Sequence, residues 1–275
     1  MRLRLLVILL VGAFIPLVAN TAHAALAPVA DVRGMWLWTR PPAADVVAFA
    51  STRRVNEIFV HVPAAPDVLY LRELRKRASA AGIKLAALGG DTSWTTDHAA
   101  ALAWQRAALG TGLFDAVHVD VEPYLLPTWN TAQATLAQQY LTLLGRLAAA
   151  TTVRVEADVP FWYGQITVAR KNLATEVLAR VDAITVMSYR NTVTGPNSVL
   201  DIGRDFLTRA AAAGKPARLA VETQPLAECA HCTFATAGRA ALDSALTKID
   251  IAGNTTSNAY AGVAVHHYDS WRSLA

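Results

Sequence analysis

The sequence alternates eight times between short runs of β-branched residues and longer runs rich in alanine and leucine. Parallel strands joined by crossover helices produce this alternation, because each strand is buried on both faces and each helix covers one face of the sheet. Eight such units in about 250 residues predict an α/β protein with a single closed (β/α)8 TIM barrel. The predicted strands are 34–38, 55–62, 83–90, 116–122, 153–159, 183–189, 217–223 and 262–268.

The segments between these strands have the pattern of helices that pack on a sheet. After the fourth strand, apolar residues recur at helical spacing at Leu136, Tyr140, Leu143, Leu144 and Leu147. Gly82 and Gly214 stand where helices should end before the third and seventh strands. Only residues 269–275 follow the eighth strand, so we expect the last helix to be short or missing.

The beginning of the chain resembles a secretory signal peptide. Two arginines precede an apolar stretch from Leu5 to Ala19, and Ala22-His23-Ala24 is a small-x-small cleavage site. We therefore expect residues 1–24 to be a signal peptide, residues 25–275 to form the barrel domain, and the mature protein to be secreted or periplasmic. No later apolar run is long enough to cross a bilayer, so we expect no membrane attachment after cleavage.

The charge of the chain argues against a nucleic-acid partner. Two of the 25 basic residues lie in the predicted signal peptide, so 23 basic residues face 21 acidic ones in the mature chain and the net charge is near +2. The basic residues are scattered, whereas nucleic-acid-binding surfaces gather them into a stripe or patch. We expect a monomer that binds no nucleic acid.

The chain has two cysteines, Cys229 and Cys232, in a C-x-x-C spacing with His231 between them. In an oxidising compartment this spacing favours a local disulfide bond. A zinc site would need two further ligands, and a thioredoxin-like redox motif would need its own βαβ context. We therefore predict a disulfide between Cys229 and Cys232.

The fourth strand carries the most informative polar residues. Valines alternate with His118, Asp120 and Glu122, so the three polar side chains share the face that points into the barrel. Two neighbouring buried carboxyl groups raise each other's proton affinity, and a carboxyl that stays protonated near neutral pH can act as a general acid. We predict that Glu122 is this acid and that Asp120 orients it. The alternative is that this acid pair (Asp120 and Glu122) only neutralises internal arginines such as Arg154.

The fourth strand resembles the D-x-x-D-x-D-x-E motif of the family 18 glycoside hydrolases, the chitinases and endo-N-acetylglucosaminidases. The matching positions are Asp115, His118, Asp120 and Glu122. The family's third strand ends in S-x-G-G, and this chain has Ala87-Leu88-Gly89-Gly90. Its sixth strand carries M-x-Y followed by Asp or Asn, and this chain has Met187-Ser188-Tyr189-Arg190. Trp271, after the eighth strand, matches the aromatic floor of the family's sugar site.

This resemblance implies a glycosidase that cleaves a polysaccharide or glycan. Glu122 would donate the proton, Asp120 would assist a substrate N-acetyl group that acts as nucleophile, and Tyr189 would hold that group. The chain departs from the family at His118, where an aspartate is usual, and at Arg190, where an acidic or amide residue is usual. These departures favour a second hypothesis, a chitinase-like protein that binds carbohydrate without cleaving it.

A third hypothesis rests on Glu222 at the end of the seventh strand. Many retaining glycosidases on barrels pair an acid on strand four with a nucleophile on strand seven, with their carboxyl groups about 5 Å apart. Glu222 would then be the nucleophile and Glu122 the acid. The alternative for Glu222 is a salt-bridged residue behind the site.

Aromatic residues cluster at the predicted strand ends, where sugar rings stack on them through their apolar faces. We expect a carbohydrate substrate and no cofactor. The predicted substrate-binding residues are Trp36, Trp38, His118, Asp158, Trp162, Met187, Arg190, Glu222, Tyr268 and Trp271.

A metal-dependent hydrolase is the remaining alternative, because imidazoles and carboxylates at strand ends can hold a divalent ion. The histidines in question are His61, His118, His266 and His267. They show neither an H-x-H pair on strand one nor an H-E-x-x-H motif. We expect no metal site.

Overall fold

The computed structural model describes residues 32–275 of the chain. The predicted signal peptide and the start of the predicted barrel domain at residue 25 lie outside this part. The described residues form a closed barrel of parallel strands, each paired with its neighbours in the sequence, and β8 pairs with β1 to close it. The barrel strands are β1 (Val32–Leu37), β2 (Glu57–His61), β3 (Lys84–Gly89), β4 (Ala116–Val119), β5 (Arg154–Pro160), β6 (Ala183–Met187), β7 (Ala217–Glu222) and β8 (Tyr260–His266). The predicted (β/α)8 fold is confirmed.

A helix follows each barrel strand. The helices are α1 (Ala43–Thr52), α2 (Val68–Ala80), α3 (His98–Gly110), α4 (Trp129–Ala149), α5 (Leu173–Leu178), α6 (Val199–Ala213), α7 (Gly238–Thr256) and α8 (Tyr268–Ser273). The prediction of a short last helix is confirmed, since α8 has 6 residues. A two-stranded antiparallel hairpin, Thr167–Val168 with Lys171–Asn172, precedes α5. Within residues 32–275, no helix is both long and apolar enough to cross a membrane.

Among the strands that end earlier than the sequence predicts, β4 and β8 bear on the site. β4 stops at Val119 because Pro123 begins a 3-10 turn three residues past the first acidic position, so the acid pair lies in the loop that follows the strand. β8 stops at His266, and Tyr268 is the first residue of α8. The end of β8 therefore gives way to a helix where the sequence pattern still suggests strand.

The inside of the barrel contains an apolar layer with one polar side chain at its centre. This layer consists of Trp36, Phe59, Ala86, Leu88, Ala116, Ala220 and Ala264. The ring of Phe59 crosses the barrel and stacks on the imidazole of His118, with ring centres 3.7 Å apart. Gly34 makes room for it, because a Cβ atom there would lie 2.6 Å from the Phe59 ring. A larger apolar layer fills the space between the barrel and its helices.

Four charged residues at the N-terminal end of the barrel form a buried ion cluster, the barrel-base ion cluster (Glu57, Arg154, Glu156 and Arg218). Arg218 donates to Glu57 at 2.5 Å and to Glu156 at 2.5 Å. Arg154 bonds to Glu57 and, through Nε at 2.7 Å, to Glu156. The internal arginines are thus neutralised by glutamates of β2 and β5. The acid pair is not needed for that purpose, which removes the structural alternative raised for it.

Candidate active site

The acid pair lies at the C-terminal end of the barrel strands, here called the barrel mouth. The backbone N–H of Asp120 donates to the carbonyl of Gly89 at 2.9 Å, so Asp120 keeps the alternation of β4 and faces inward. A Cβ atom on Gly90 would overlap the carbonyl oxygen of Asp120, so only glycine allows the two loops to approach this closely. Pro123 then turns the chain directly after Glu122.

The surroundings of Asp120 favour its protonated form. Burial raises the pKa of Asp120 well above its usual value, and the carboxyl groups of Asp158 and Glu122 raise it further, against the lowering effect of His118. Its Oδ1 atom is shielded from solvent and has no hydrogen-bond partner in the protein. A neutral carboxyl group in this position can donate a hydrogen bond to a neighbouring acceptor.

Glu122 is partly buried and hydrogen-bonded to a tyrosine of the following turn. Burial raises the pKa of Glu122 and the carboxyl group of Asp158 adds to the rise, while the hydrogen bond from Tyr124 opposes it. The Tyr124 hydroxyl donates to Oε1 of Glu122. Tyr124 in turn packs edge-on against Trp162, with ring centres 5.0 Å apart. The proton affinity of Glu122 therefore lies above that of an ordinary glutamate.

Asp158 occupies the centre of the barrel below the acid pair. Its Oδ2 accepts a hydrogen bond from Nε1 of Trp36 at 3.1 Å, and its Oδ1 lies 2.9 Å from Nε2 of His118. The other ring nitrogen of His118 lies 3.4 Å from Glu156. Burial lowers the pKa of His118, but Asp158 and Glu156 outweigh it and raise the pKa to about 9. His118 is therefore an imidazolium at neutral pH, held between two carboxylates.

Burial raises the pKa of Asp120, and Asp158 raises it further through its charge and through a hydrogen bond between the two carboxyl groups. Two carboxyl groups can form such a bond only when they share a proton. At the position where family 18 has an inner aspartate, this chain has His118. The structure brings a carboxyl group from β5 to Asp120 instead, and the charge of His118 balances it.

Tyr189 lies among the carboxyl groups of the barrel mouth. Burial raises the pKa of Tyr189 well above its usual value, and the carboxyl groups of Glu222, Asp158 and the acid pair raise it further. Its ring is 6.1 Å from that of His266 on β8. The structure thus places Tyr189 beside His266 and within electrostatic range of the acid pair.

Glu222 is 3% exposed and fully hydrogen-bonded. Its Oε1 accepts from the backbone N–H groups of Thr223 at 2.7 Å and Gln224 at 2.6 Å. Its Oε2 lies 2.8 Å from Nδ1 of His266, and Nε2 of His266 accepts a hydrogen bond from Nε1 of Trp38 at 2.9 Å. A chain of hydrogen bonds therefore links β7, β8 and β1 across the barrel mouth.

Arg190 does not contact the acid pair. Its guanidinium donates to Oδ1 of Asn197 at 2.8 and 3.0 Å and to the carbonyl of Tyr189 at 2.7 Å, and it lies over the ring of Phe161 at 4.9 Å. Burial lowers the pKa of Arg190. Met187, at the end of β6, is 9% exposed. The structure places both residues beside the mouth, with Arg190 holding the loop that follows β6.

Tyr268 and Trp271 are not at the barrel mouth. Both are fully buried, and both rings pack edge-on against Phe49 of α1, at 5.4 and 5.3 Å. The predicted position of these two residues in the cleft is wrong, because the helix that begins at Tyr268 turns its apolar face toward α1.

Cys229 and Cys232 form a disulfide bond in the structure. His231 lies within 3.6 Å of the sulfur of Cys229. Among residues 32–275, these three side chains form the one group of His, Cys, Asp and Glu that is close enough together to hold a metal ion. Since both sulfurs are in the disulfide, neither is a thiolate ligand.

Several residues of the mouth are not among those predicted from the sequence. The hydroxyl groups of Tyr140 and Tyr163 are buried without a hydrogen-bond partner; burial raises the pKa of both, and the charges of the acid pair add to the rise. The helical pattern of the sequence indicates that Tyr140 is a packing residue of α4. For Tyr163, the sequence shows only that other aromatic residues are adjacent to it. The sequence could have identified Tyr124 as a site residue, because it directly follows Glu122 and Pro123.

A cavity of about 490 Å³ opens beside the acid pair, between the ends of β2 and β3. His61, the Gly89-Gly90 pair and Asp91 line it, and the indole of Trp94 closes one side. Burial lowers the pKa of His61, and the charge of Arg40 lowers it further, so the imidazole is neutral at neutral pH. The cavity adjoins Asp120 through Gly90.

No protein-family profile and no curated protein sequence matches the chain. Its fold is similar to solved structures at low sequence identity. The Bacillus cereus spore cortex-lytic enzyme SleL has a TM-score of 0.57 and 9% identity over 88% of this chain and 73% of that one. A GH18 chitinase from Pseudoalteromonas aurantia has a TM-score of 0.56 and 11% identity over 87% and 95%. Dispersin B has a TM-score of 0.54 and 10% identity over 88% and 93%. The resemblance in fold to a family 18 barrel, predicted from the sequence, is thus confirmed: the chain has a (β/α)8 barrel similar to that of a family 18 chitinase.

Proposed function

We propose that the protein is a glycoside hydrolase that cleaves glycosidic bonds in a polysaccharide or glycan, with Glu122 as the general acid. The observation that carries this proposal is the acid pair at the barrel mouth, where burial and neighbouring carboxyl groups raise the pKa of both side chains. Cleavage of a glycosidic bond requires a protonated carboxyl group next to the departing oxygen. Catalytic residues of (β/α)8 enzymes lie at this end of the strands.

Glu122 is the member of the pair suited to donate the proton. It lies farther along the loop and remains partly exposed, and the Tyr124 hydroxyl fixes one of its oxygens. The second oxygen is then the one that presents the proton to a bound sugar. After bond cleavage the resulting carboxylate keeps the Tyr124 hydrogen bond, which stabilises the charged form.

Asp120 and Tyr189 assist from below. Burial and the charge of Asp158 favour the protonated form of Asp120, and a protonated carboxyl group can donate a hydrogen bond to a group of the substrate, such as the N-acetyl group of an amino sugar. The Tyr189 hydroxyl lies among the same carboxyl groups and can hold the same substrate group. This arrangement supports a reaction in which the substrate supplies its own nucleophile.

The hydrogen bonds of Glu222 support a positioning role for this residue. Both of its oxygens are occupied, one by two backbone N–H groups and one by His266. A carboxylate nucleophile needs an oxygen that is free to approach the sugar carbon. The retaining mechanism with Glu222 as nucleophile is therefore the weaker candidate.

We also propose a carbohydrate substrate outside the cytoplasm. Trp38 and Trp162 are partly exposed, Trp162 packs against the tyrosine that bonds to Glu122, and a cavity opens at Gly90. The names of the similar structures, a spore cortex-lytic enzyme and a chitinase, fit a polysaccharide of the cell envelope. The signal-peptide features of residues 1–24 fit export.

The test is hydrolysis of a panel of chromogenic glycosides, chitin oligosaccharides and cell-wall polymers. We expect the wild-type protein to release reducing ends from at least one of them, and Glu122→Gln to lower kcat/KM by about 10²–10⁴-fold, as expected for loss of a general acid. The matched control is Glu73→Gln, because Glu73 is an exposed residue of α2 that bonds to Arg77.

A second candidate function is carbohydrate binding without cleavage. The departures from the family 18 pattern at His118 and Arg190 favour it, since Arg190 bonds to Asn197 and does not face a bound sugar. Chitin oligosaccharides would then bind, no substrate of the panel would release reducing ends, and Glu122→Gln would leave the dissociation constant unchanged. That set of results would replace the hydrolase proposal by the binding one.

A further inference from the structure

The hydrogen-bond chain from Glu222 through His266 to Trp38 has a defined direction. An indole N–H only donates, so Nε2 of His266 must accept the hydrogen bond from Trp38. The proton of the neutral imidazole is then on Nδ1, which faces Oε2 of Glu222 at 2.8 Å. The carboxylate of Glu222 thus selects the one tautomer of His266 that can bind Trp38.

The orientation of the Glu222 carboxylate is itself fixed. Its other oxygen accepts from two consecutive backbone N–H groups, at Thr223 and Gln224. The peptide groups therefore determine which oxygen meets the histidine. Because Glu222 is 3% exposed, water does not compete for these bonds.

The indole at the end of this chain is the one that a ligand can reach. Trp38 is partly exposed at the end of β1, whereas Trp36 on the same face is buried under it. The Trp38 ring lies 5.6 Å from that of His61, which lines the cavity beside the acid pair. Trp38 therefore lies beside His61, a residue of this cavity, and beside His266 of the barrel mouth.

We propose that Glu222 and His266 are positioning residues that hold the Trp38 indole as the platform on which a sugar ring of the substrate stacks. The carboxylate fixes the tautomer, the tautomer accepts the indole N–H, and this hydrogen bond fixes the plane of the ring. A rigid aromatic surface binds a sugar with a smaller entropy cost than a mobile one. The inference rests on the proposed carbohydrate substrate.

The substitution Glu222→Gln tests this chain with almost no change in shape. The amide oxygen must face the two backbone N–H groups, because an NH2 group there would oppose two donors. The NH2 group then faces Nδ1 of His266 and drives the imidazole proton to Nε2. Nε2–H and the Trp38 N–H are both donors, so their hydrogen bond is lost.

The first measurement needs no substrate. The nitrogen NMR signals of His266 should show the Nδ1–H tautomer in the wild-type protein and the Nε2–H tautomer in Glu222→Gln. The fluorescence of Trp38, taken as the difference between a protein and its Trp38→Phe variant, should change with the tautomer. An unchanged tautomer in Glu222→Gln would overturn the proposal.

The second measurement is a double-mutant cycle on binding of a soluble chitin oligosaccharide. Glu222→Gln should weaken binding about two- to tenfold, the effect of one neutral hydrogen bond, and should have no further effect in a Trp38→Phe background. An equal effect in both backgrounds would mean that Glu222 does not act through Trp38. If no carbohydrate binds at all, the proposed function fails while the tautomer measurement still decides the role of Glu222.

Discussion

The hydroxyl of Tyr124 donates a hydrogen bond to Glu122, two residues earlier in the chain. A 3-10 turn that begins at Pro123 brings the two side chains together, so the proposed acid and the group that tunes it belong to one local segment. This hydrogen bond lowers the pKa of Glu122, against the larger effect of burial. The proton affinity of the acid is a balance between the two.

Removal of this hydroxyl in Tyr124→Phe should raise the pKa of Glu122. The acid then stays protonated to higher pH, so the alkaline limb of the kcat/KM profile should move to higher pH. The pH profile with a substrate from the glycoside panel measures this, and a carboxyl titration by NMR measures it without substrate. Tyr70→Phe is the control, since the Tyr70 hydroxyl on α2 has no hydrogen-bond partner. A limb that moves to lower pH would contradict the assignment of Glu122.

The charge of His118 should make the stability of the protein fall with rising pH. Its pKa is about 9 in the folded protein, above the ordinary value of 6.5, so its stabilisation is complete below pH 6.5 and is lost as the pH rises through 9. By linkage this amounts to about 3 kcal/mol of unfolding free energy. Urea unfolding across this range should show the loss in the wild type and not in His118→Gln. The control His98→Gln on α3 should follow the wild type, and parallel curves for wild type and His118→Gln would refute the prediction.

Substitution of Arg218 by methionine should destabilise the protein strongly. It leaves Arg154 as the one arginine bound to the buried Glu57 and Glu156, and breaking a buried ion pair costs about 3–5 kcal/mol. Arg77→Met removes an exposed pair with Glu73 and should cost less than about 1 kcal/mol. Denaturant midpoints of both variants measure the contrast. Equal midpoints would show that the barrel-base ion cluster contributes no more than a surface pair.

Gly90→Ala should impair the site while leaving the barrel folded. The new methyl group would push the backbone at Asp120, and a displacement of about 1 Å can cost on the order of 10²-fold in rate. The control is Gly145→Ala in the middle of α4, where a Cβ atom meets nothing within 4 Å. It should leave activity unchanged and stabilise the protein by about 0.5–1 kcal/mol. Full activity in Gly90→Ala would show that the β3 loop does not position Asp120.

The sequence was sufficient for the barrel and for the place of the acid pair. Strand and helix periods differ, so the eight units are visible without a structure, and the valines of β4 show which side chains point inward. The prediction that the eighth strand reaches Tyr268 was wrong. The alternating pattern of a strand continues for two residues past His266, although a helix begins at Tyr268. A shift of one residue along a strand turns an aromatic side chain from the inside of the barrel to its outside.

The hydrogen-bond partners were beyond the sequence. Asp158 meets Asp120, and Glu222 meets His266, through contacts between different strands whose relative heights depend on barrel closure. A sequence pattern gives the face of a residue and not its partner. For that reason Glu222 reads equally well as a nucleophile and as a support for another side chain.

The barrel-base ion cluster bears on how the chain reaches its folded state. Its glutamates come from β2 and β5, and its arginines come from β5 and β7. A fragment that ends after β4 contains Glu57 without either arginine, and a fragment that begins at β5 contains both arginines with one glutamate. In neither fragment do the buried glutamates and arginines of the cluster balance each other's charge. Charge compensation is complete only when the circle of strands is closed, so the two halves of the barrel depend on each other and fold cooperatively.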